Sequence, residues 1–305
     1  MKKVIVTTTI NPPTEAIEKF DAMTDWTLVV IGDLKTQKDY KLKRGIYVSP
    51  EEQEKYDKPL SDAIGWKCIQ RRNFGLLWAY DLQADLVAVI DDDNIPYPDW
   101  GKNLIVGEEV EVNYYETKLP AFDSIGATNE NRLWHRGYPL QLVPKRDYSL
   151  KSKKKMAFDV QADFWDGDPD IDAVCRMIYK PECKFAPAAF PLAANKLSPF
   201  NSQNTILKGE LLKDYFLFPH IGRMDDIWAA YYVQARGAKV VFNRASVYQQ
   251  RNEHDLVVDM KKEYLGYENN LEIVTKLPGD PEAIMNYLPA AAKEAFTLYR
   301  KHFHA

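Results

Sequence analysis

Three carboxylates in a row, Asp91, Asp92 and Asp93, close the apolar run "LVAVI" at 86–90. Adjacent carboxylates repel, and without a countercharge at least one of them must protonate more readily than usual. A divalent cation removes the conflict. Mg²⁺ and Mn²⁺ prefer oxygen ligands and commonly bridge one or two carboxylates to substrate phosphates. On an extended strand Asp91 and Asp93 share a side and Asp92 points away, so Asp91 and Asp93 are the metal candidates. A cation held there would polarise a diphosphate leaving group. The competing reading is an acidic turn before "NIPYPDW". A second acidic pair, Asp225 and Asp226, follows Gly222 and Arg223 at the start of a helical pattern. Acidic residues also belong in first helical turns for the dipole alone.

The elements that would position these groups alternate in type. "KKVIVTTT", "WTLVVIGD", "GIYVSP" and "DLVAVIDDD" read as short, β-branched, buried strands. "TEAIEKFDAM", capped by Thr14, and most of 61–83 read as helices between them. Alternation of this kind predicts a parallel sheet covered on both faces, with ligands at the carboxyl ends of its strands. Thr7, Thr8, Thr9, Asp33 and the Asp91, Asp92, Asp93 triplet all stand at such ends. In the second half, "VNYYETK", "YPLQLV", "MAFDVQADFW" and "AKVVFNRASVYQQ" read as strands. "DIDAVCRMIY", "ELLKDYF", "DDIWAAYYVQARG" and "DLVVDMKKEYLGYENNLEIVTKL" read as helices, and the tail is helical with a break at Pro289. The expected fold class is α/β: a mixed, mainly parallel, Rossmann-like sheet flanked by helices. The main domain spans 1–275, and a helical C-terminal extension spans 276–305.

Composition narrows the classes. The chain has 305 residues, 46% hydrophobic and 28% charged, which is globular. Its net charge of −4 gives no global attraction to nucleic acid. The local basic run "KSKKKM" at 151–156 reads as a solvated loop. Three cysteines without CxxC spacing read as reduced thiols. No stretch approaches a transmembrane span, and the apolar run at the start is too short for a signal h-region. A soluble, cytoplasmic protein is the expectation.

The carboxylate triplet resembles the Asp-x-Asp motif of GT-A glycosyltransferases, which grip a nucleotide sugar through a metal. Four segments, "HRGYPLQL" (135–142), "IGRMDDIWAAYYVQ" (221–234), "VIDDDN" (89–94) and "VDMKKEYLGY" (258–267), together resemble the reversibly glycosylated polypeptides, a family that includes the UDP-arabinopyranose mutases. The N-terminal segments "TTINPPTEAI", "VVIGDLKT" and "RRNFGLLWA" resemble the glycosyltransferase-like domain of the plant STELLO proteins. The resemblance runs from about residue 3 to about residue 270.

The resemblance implies a GT-A-like fold and a set of roles. Asp33 would recognise uracil or ribose, with a Gly-Asp turn as the plain alternative. Thr8 and Thr9 would offer hydroxyls and backbone N–H groups to the base, and Lys35 would offset diphosphate charge. Arg72 or Asn73 would contact the donor, with a surface salt bridge as the competing reading. Asp91 and Asp92 are counted with the donor-binding residues, and Arg223 with donor phosphate or sugar. Asp225 or Asp226 would face the acceptor and serve as general base. Arg136 matches the arginine that becomes glycosylated in the mutases, and Gly137 beside it would allow close backbone approach. A third metal ligand is expected from a late histidine. The ungapped match falls on Gln250, and the nearest histidine is His254. The acidic loop "DFWDGDPDID" (163–172) resembles the family's loop near the sugar.

The expected function is a Mn²⁺- or Mg²⁺-dependent transfer of sugar from a UDP-sugar to a glycan or other hydroxyl acceptor. A UDP-sugar mutase and a non-catalytic nucleotide-sugar-binding partner of other transferases are the alternatives. The departure around "SQNTILKGELLKDYF" and the displaced histidine weigh against the mutase. No stripe specifies an interface, and a homo-oligomer is left open.

Overall fold

The computed structural model describes residues 1–249 and 255–303. β1 (Lys3–Thr9), β2 (Thr27–Gly32), β3 (Ile46–Val48) and β4 (Leu86–Ile90) form a parallel run in the order β3-β2-β1-β4. Every residue of β4 is buried, as a strand covered on both faces requires. The crossovers are α1 (Glu15–Asp21), α2 (Pro50–Tyr56), α3 (Lys58–Ile64) and α4 (Arg72–Asp81). Thr14 caps α1, its hydroxyl accepting the Ile17 N–H at 3.2 Å. The helix expected over 61–83 is broken at Gly65, whose φ of 79° is left-handed.

Beyond β4 the sheet continues through β10 (Asn204–Lys208), which is antiparallel to it, then β8 (Val160–Gly167), β11 (Val240–Gln249), β9 (Leu192–Ala194), β6 (Glu109–Tyr115) and β7 (Lys151–Ala157). β5 (Asn94–Pro96) pairs with the end of β11. The mixed α/β sheet flanked by helices is the architecture expected. Only the first four strands are uniformly parallel; elsewhere β8–β11 and β6–β9 are parallel and the other pairings antiparallel, so the sheet is less parallel than expected.

Three local readings are corrected. "YPLQLV" is not a strand: Leu140–Lys145 is a 3-10 helix, and Pro144 could not have donated to a ladder. "ELLKDYF" makes only a 3-10 turn, Gly209–Leu211. Tyr215, Phe216, Leu217 and Phe218 after it are all buried, so no solvent face exists for an amphipathic helix. The basic run is strand β7 rather than a loop. It pairs with β6, and Lys153 and Lys155 face Glu111 and Glu109 across the ladder at 3.7 and 3.2 Å. Lysines on an edge strand discourage further pairing.

α5 (Ala173–Ile178), α6 (Asp225–Ala235), α7 (Leu256–Lys276) and α8 (Ala290–Lys301) complete the fold. α8 lays Phe296 and Tyr299 on Phe216, with ring centroids 5.3 and 4.7 Å apart, and joins the core shared with the sheet. No helix among the described residues is long and apolar enough to cross a membrane. Because β1, β2 and β4 are parallel, their carboxyl ends fall on one edge. Asn204 of β10 pairs with Ile90, so the chain before β10 arrives at that edge as well.

Candidate functional site at the carboxyl edge of the sheet

The edge opens into two adjoining cavities. One, about 340 Å³, is lined by Thr8, Thr9, Asp33, Arg72 and all three residues of the triplet. The other, about 220 Å³, is lined by Arg136, Ser202, Arg223, Asp225 and Asp226, together with Asp91 and Asp93. Asp91 and Asp93 thus form part of the wall common to both, and Asp92 faces only the first. β4 ends at Ile90, so the triplet lies in the turn after the strand rather than on it, and Asp92 lines the first cavity beside Asp91 and Asp93 instead of pointing away from them.

The first cavity is built by strand ends and α4. Gly75 lets α4 lie directly on β1: a Cβ there would stand 2.3 Å from Val6 Cγ1. That approach carries Arg72 to the edge, where it is 1% exposed. Its guanidinium donates to Asp91 at 2.8 Å, to the Ser202 carbonyl at 2.7 Å and to the Ser202 hydroxyl at 2.9 Å. It also reaches the Thr8 hydroxyl at 3.4 Å. Burial pushes the Asp91 carboxyl above its ordinary range, against the pull of Arg72. Asp92 accepts from Thr9 Oγ1 and from Asn11 Nδ2, the latter at 3.2 Å. Asp33 accepts the backbone N–H groups of Lys67 and Cys68 at 3.0 and 3.1 Å, which fixes the loop after α3 as the cavity's far wall.

Two expected donor contacts are not at the site. Lys35 is exposed and lines neither cavity. Asn73 is fully buried, donates to the Leu217 carbonyl at 2.8 Å and accepts the Leu217 N–H at 2.9 Å. Both ends of its amide are used to hold that segment, because adjacent helical residues point about 100° apart.

The second cavity is built around Arg136, 5% exposed. Its Nε donates to Asp170 at 2.9 and 3.1 Å. Its terminal nitrogens donate to Asp226 at 3.0 and 3.1 Å, and Nη1 also donates to the Arg223 carbonyl. Burial works against this cation, but Asp170 and Asp226 outweigh it and hold the group charged. Gly137, at φ +88°, turns the chain under α6: a Cβ would meet Ile227 Cγ2 at 2.3 Å. The close approach expected of this glycine is therefore to α6.

Asp226 is occupied on both oxygens. Besides Arg136 it accepts the Ser202 N–H at 2.9 Å and the Ser202 hydroxyl at 3.1 Å. Ser202 thereby joins the two cavities in one chain of contacts: Asp91, Arg72, Ser202, Asp226, Arg136, Asp170. Asp225 differs. Its described partner is the Gln70 amide at 2.7 Å. Burial first, then the neighbouring Asp226, pushes its carboxyl up to about 7, with Arg136 opposing. Arg223 sits at the rim and donates to Glu263 at 2.8 Å, with Asp259 at 3.6 Å.

Sequence reasoning missed Asp170, Ser202, Gln70 and Glu263. Asp170 lies in the acidic loop 163–172 and Glu263 in the helical segment 258–267, where spacing does not single out either residue. Ser202 and Gln70 carry no signal of their own.

The donor set suits a hard cation. Arg72 engages one Asp91 oxygen, and Asp93 shares the same wall. Two carboxylates plus substrate phosphate and water is a sufficient set for Mg²⁺ or Mn²⁺. Among the described residues no group of three or more His, Cys, Asp or Glu side chains is arranged to hold a metal alone. His254 and Gln250 lie outside the described residues.

No protein-family profile matches the chain. It is 25% identical over 186 residues to the probable glycosyltransferase STELLO2 of Arabidopsis thaliana, covering 57% of this chain and 24% of that protein. It is 24% identical over 229 residues to STELLO1 of the same plant, covering 67% and 29%. The chain thus spans 24–29% of the length of these relatives. Resemblance to the STELLO proteins is borne out at this level, and membership of the mutase family is not shown. Among solved structures, glucosyl-3-phosphoglycerate synthase from Mycobacterium tuberculosis with phosphoglyceric acid is a distant likeness: TM-score 0.49, 13% identity, 92% of this chain and 81% of that one. The same enzyme with Mn²⁺, UDP-glucose and phosphoglyceric acid gives 0.49 and 13% over 89% and 80%.

Proposed function

We propose that the chain is a GT-A-type glycosyltransferase that moves a sugar from a UDP-sugar to a hydroxyl acceptor. The observation that carries this is the wall the two cavities share. A nucleoside in the first and a sugar in the second would place the diphosphate against Asp91 and Asp93. The similarity to two probable glycosyltransferases supports the same reading over part of the chain.

The first cavity would take the nucleoside between Thr8, Thr9 and the Asp33-bound loop, with Arg72 behind Asp91. Asp91 and Asp93 would hold the divalent cation, which when bound supplies positive charge opposite the departing diphosphate. In the second cavity Asp225 is the base. Of the adjacent pair Asp225 and Asp226, only Asp226 is ion-paired to an arginine among the described residues, and a carboxyl lifted to about 7 exchanges protons near neutrality. Asp225 takes the acceptor's hydroxyl proton as that oxygen bonds the anomeric carbon and the carbon–oxygen bond to the diphosphate breaks. Asp226 acts through Arg136 and Ser202 as the brace of the sugar wall.

Arg136 argues against the mutase. A guanidinium held by two carboxylates has no free electron pair to offer a sugar. Asp225, raised and lightly engaged, argues against a purely binding role. The test is incubation with Mn²⁺ and a panel of UDP-sugars, following free UDP and sugar ring form. Release of UDP that depends on acceptor is expected. Ring-form exchange without UDP release would assign the mutase, and UDP binding without either outcome would assign the binding partner. Calorimetry with no Mn²⁺-linked uptake of UDP would overturn the donor site itself.

A further inference from the structure

The opposite edge of the sheet carries a third and larger cavity, about 730 Å³. Its position follows from register. Val240 of β11 pairs with Val160 of β8, Val160 with Leu207 of β10, and Leu207 with Val87 near the start of β4. The cavity therefore lies at the strand ends remote from Asp91. Its floor is apolar, with Phe158, Phe242 and Val274 all at most 2% exposed. Its rim carries Lys154, Lys196 and Lys239, and among the described residues no carboxylate lines it.

That charge is out of keeping with a chain of net charge −4. Three like charges around one opening repel one another. Elsewhere on the same strand the conflict is resolved locally, since Lys153 and Lys155 face Glu111 and Glu109. Lys154, on the other face of β7, stands 4.2 Å from the Tyr114 ring centre instead. Also in the lining, Ser198 is buried with no hydrogen-bond partner for its hydroxyl among the described residues. A buried hydroxyl left unpaired is costly unless a ligand or water meets it.

We infer that this cavity is a second ligand site, for a small organic anion with an apolar body. The anion would sit among the three lysines, and its body would cover the aromatic floor. The volume is in the range of small-molecule sites.

The probes are hexyl phosphate and hexanoate, titrated calorimetrically into the full chain, with hexanol and inorganic phosphate as controls. One anion bound per chain is expected, at least tenfold more tightly than hexanol or inorganic phosphate. The tighter of the two anions assigns the headgroup as phosphate ester or carboxylate. The variant K154E/K196E/K239E changes only exposed side chains and should lose at least tenfold in affinity. The variant K153E/K155E, on the other face of the same strand, should bind as the parent does. Hexanol binding as tightly as the anions, an unchanged affinity in the triple variant, or an equal loss in the control variant would each overturn the site. So would failure of both anions to bind.

Discussion

The two walls of the candidate site hold their carboxylates in opposite ways. At the strand ends, Asp33 and Asp92 accept from backbone N–H groups, a threonine and an asparagine, and Asp91 meets one arginine on one oxygen. At the start of α6, Asp226 and the neighbouring Asp170 are locked around a single buried arginine. The first wall keeps its charge available to a ligand. The second has spent its charge on itself, apart from Asp225. A run of acidic residues therefore says little about chemistry until its partners are known, and the arginine count decides which carboxylate is left to react.

The largest expected effect separates Asp225 from Asp226. Asp225→Asn should lower the rate of UDP release by about 10²- to 10⁴-fold, the usual scale for loss of a positioned base, with UDP affinity within about twofold. The sign of the pH effect follows from the raised carboxyl. The base form is absent below about pH 7 and present above it, so the parent's rate should climb through that pH. Asp225→Asn should flatten that limb. A normal rate in this variant would move the base elsewhere.

The next effect belongs to the locked wall. Arg136→Met leaves Asp170 and Asp226 buried without their shared cation. Breaking a buried pair in this way costs about 3–5 kcal/mol, read as a lower midpoint in urea. The double variant Arg136→Met with Asp226→Asn should recover part of that loss. If Arg136→Met is as stable as the parent, the arginine is not the brace of this wall.

The strand-end wall was legible in the sequence because it is local. Apolar runs of five or six residues fix strands, parallel strands align their ends, and the polar residue after each run must then face the edge. The second wall was legible only in part. Asp225 and Asp226 were visible as a pair, but which of them is free depends on Arg136, about ninety positions away, and on Asp170 and Ser202. No periodicity reports such contacts. Asn73 shows the same limit from the other side. Its place on a buried helix was readable, but the Leu217 backbone that takes both ends of its amide was not. The 3-10 turn in "ELLKDYF" and the strand in "KSKKKM" were misread because core demand in one case and ladder pairing in the other overrode composition.

A smaller effect tests the link between the walls. Arg72 reaches Asp91 and Ser202 through separate nitrogens of a planar fork, which lysine cannot reproduce. Arg72→Lys should weaken Mn²⁺-linked UDP binding by about tenfold, or about 1.4 kcal/mol, while Asp93→Ala removes its metal dependence altogether. Equal UDP affinity with and without Mn²⁺ in the parent would make both comparisons moot and refute the shared wall as a metal site.

The smallest effect is expected at Lys35, and it discriminates between charge nearby in sequence and charge at the site. Lys35 follows a strand end, as Asp33 does, and a lysine there would suit a diphosphate. Yet its side chain is exposed and lines neither cavity, whereas Asp33 is 4% exposed and bonded to the loop that closes the first one. An exposed charge is screened within about 8–10 Å at ordinary salt. Lys35→Ala should therefore change UDP affinity by less than about twofold at 0.15 M salt. A tenfold loss that persists at that ionic strength would mean the first cavity closes further on its ligand, drawing the turn after β2 inward, and the strand-end wall would then be mobile where the α6 wall is fixed.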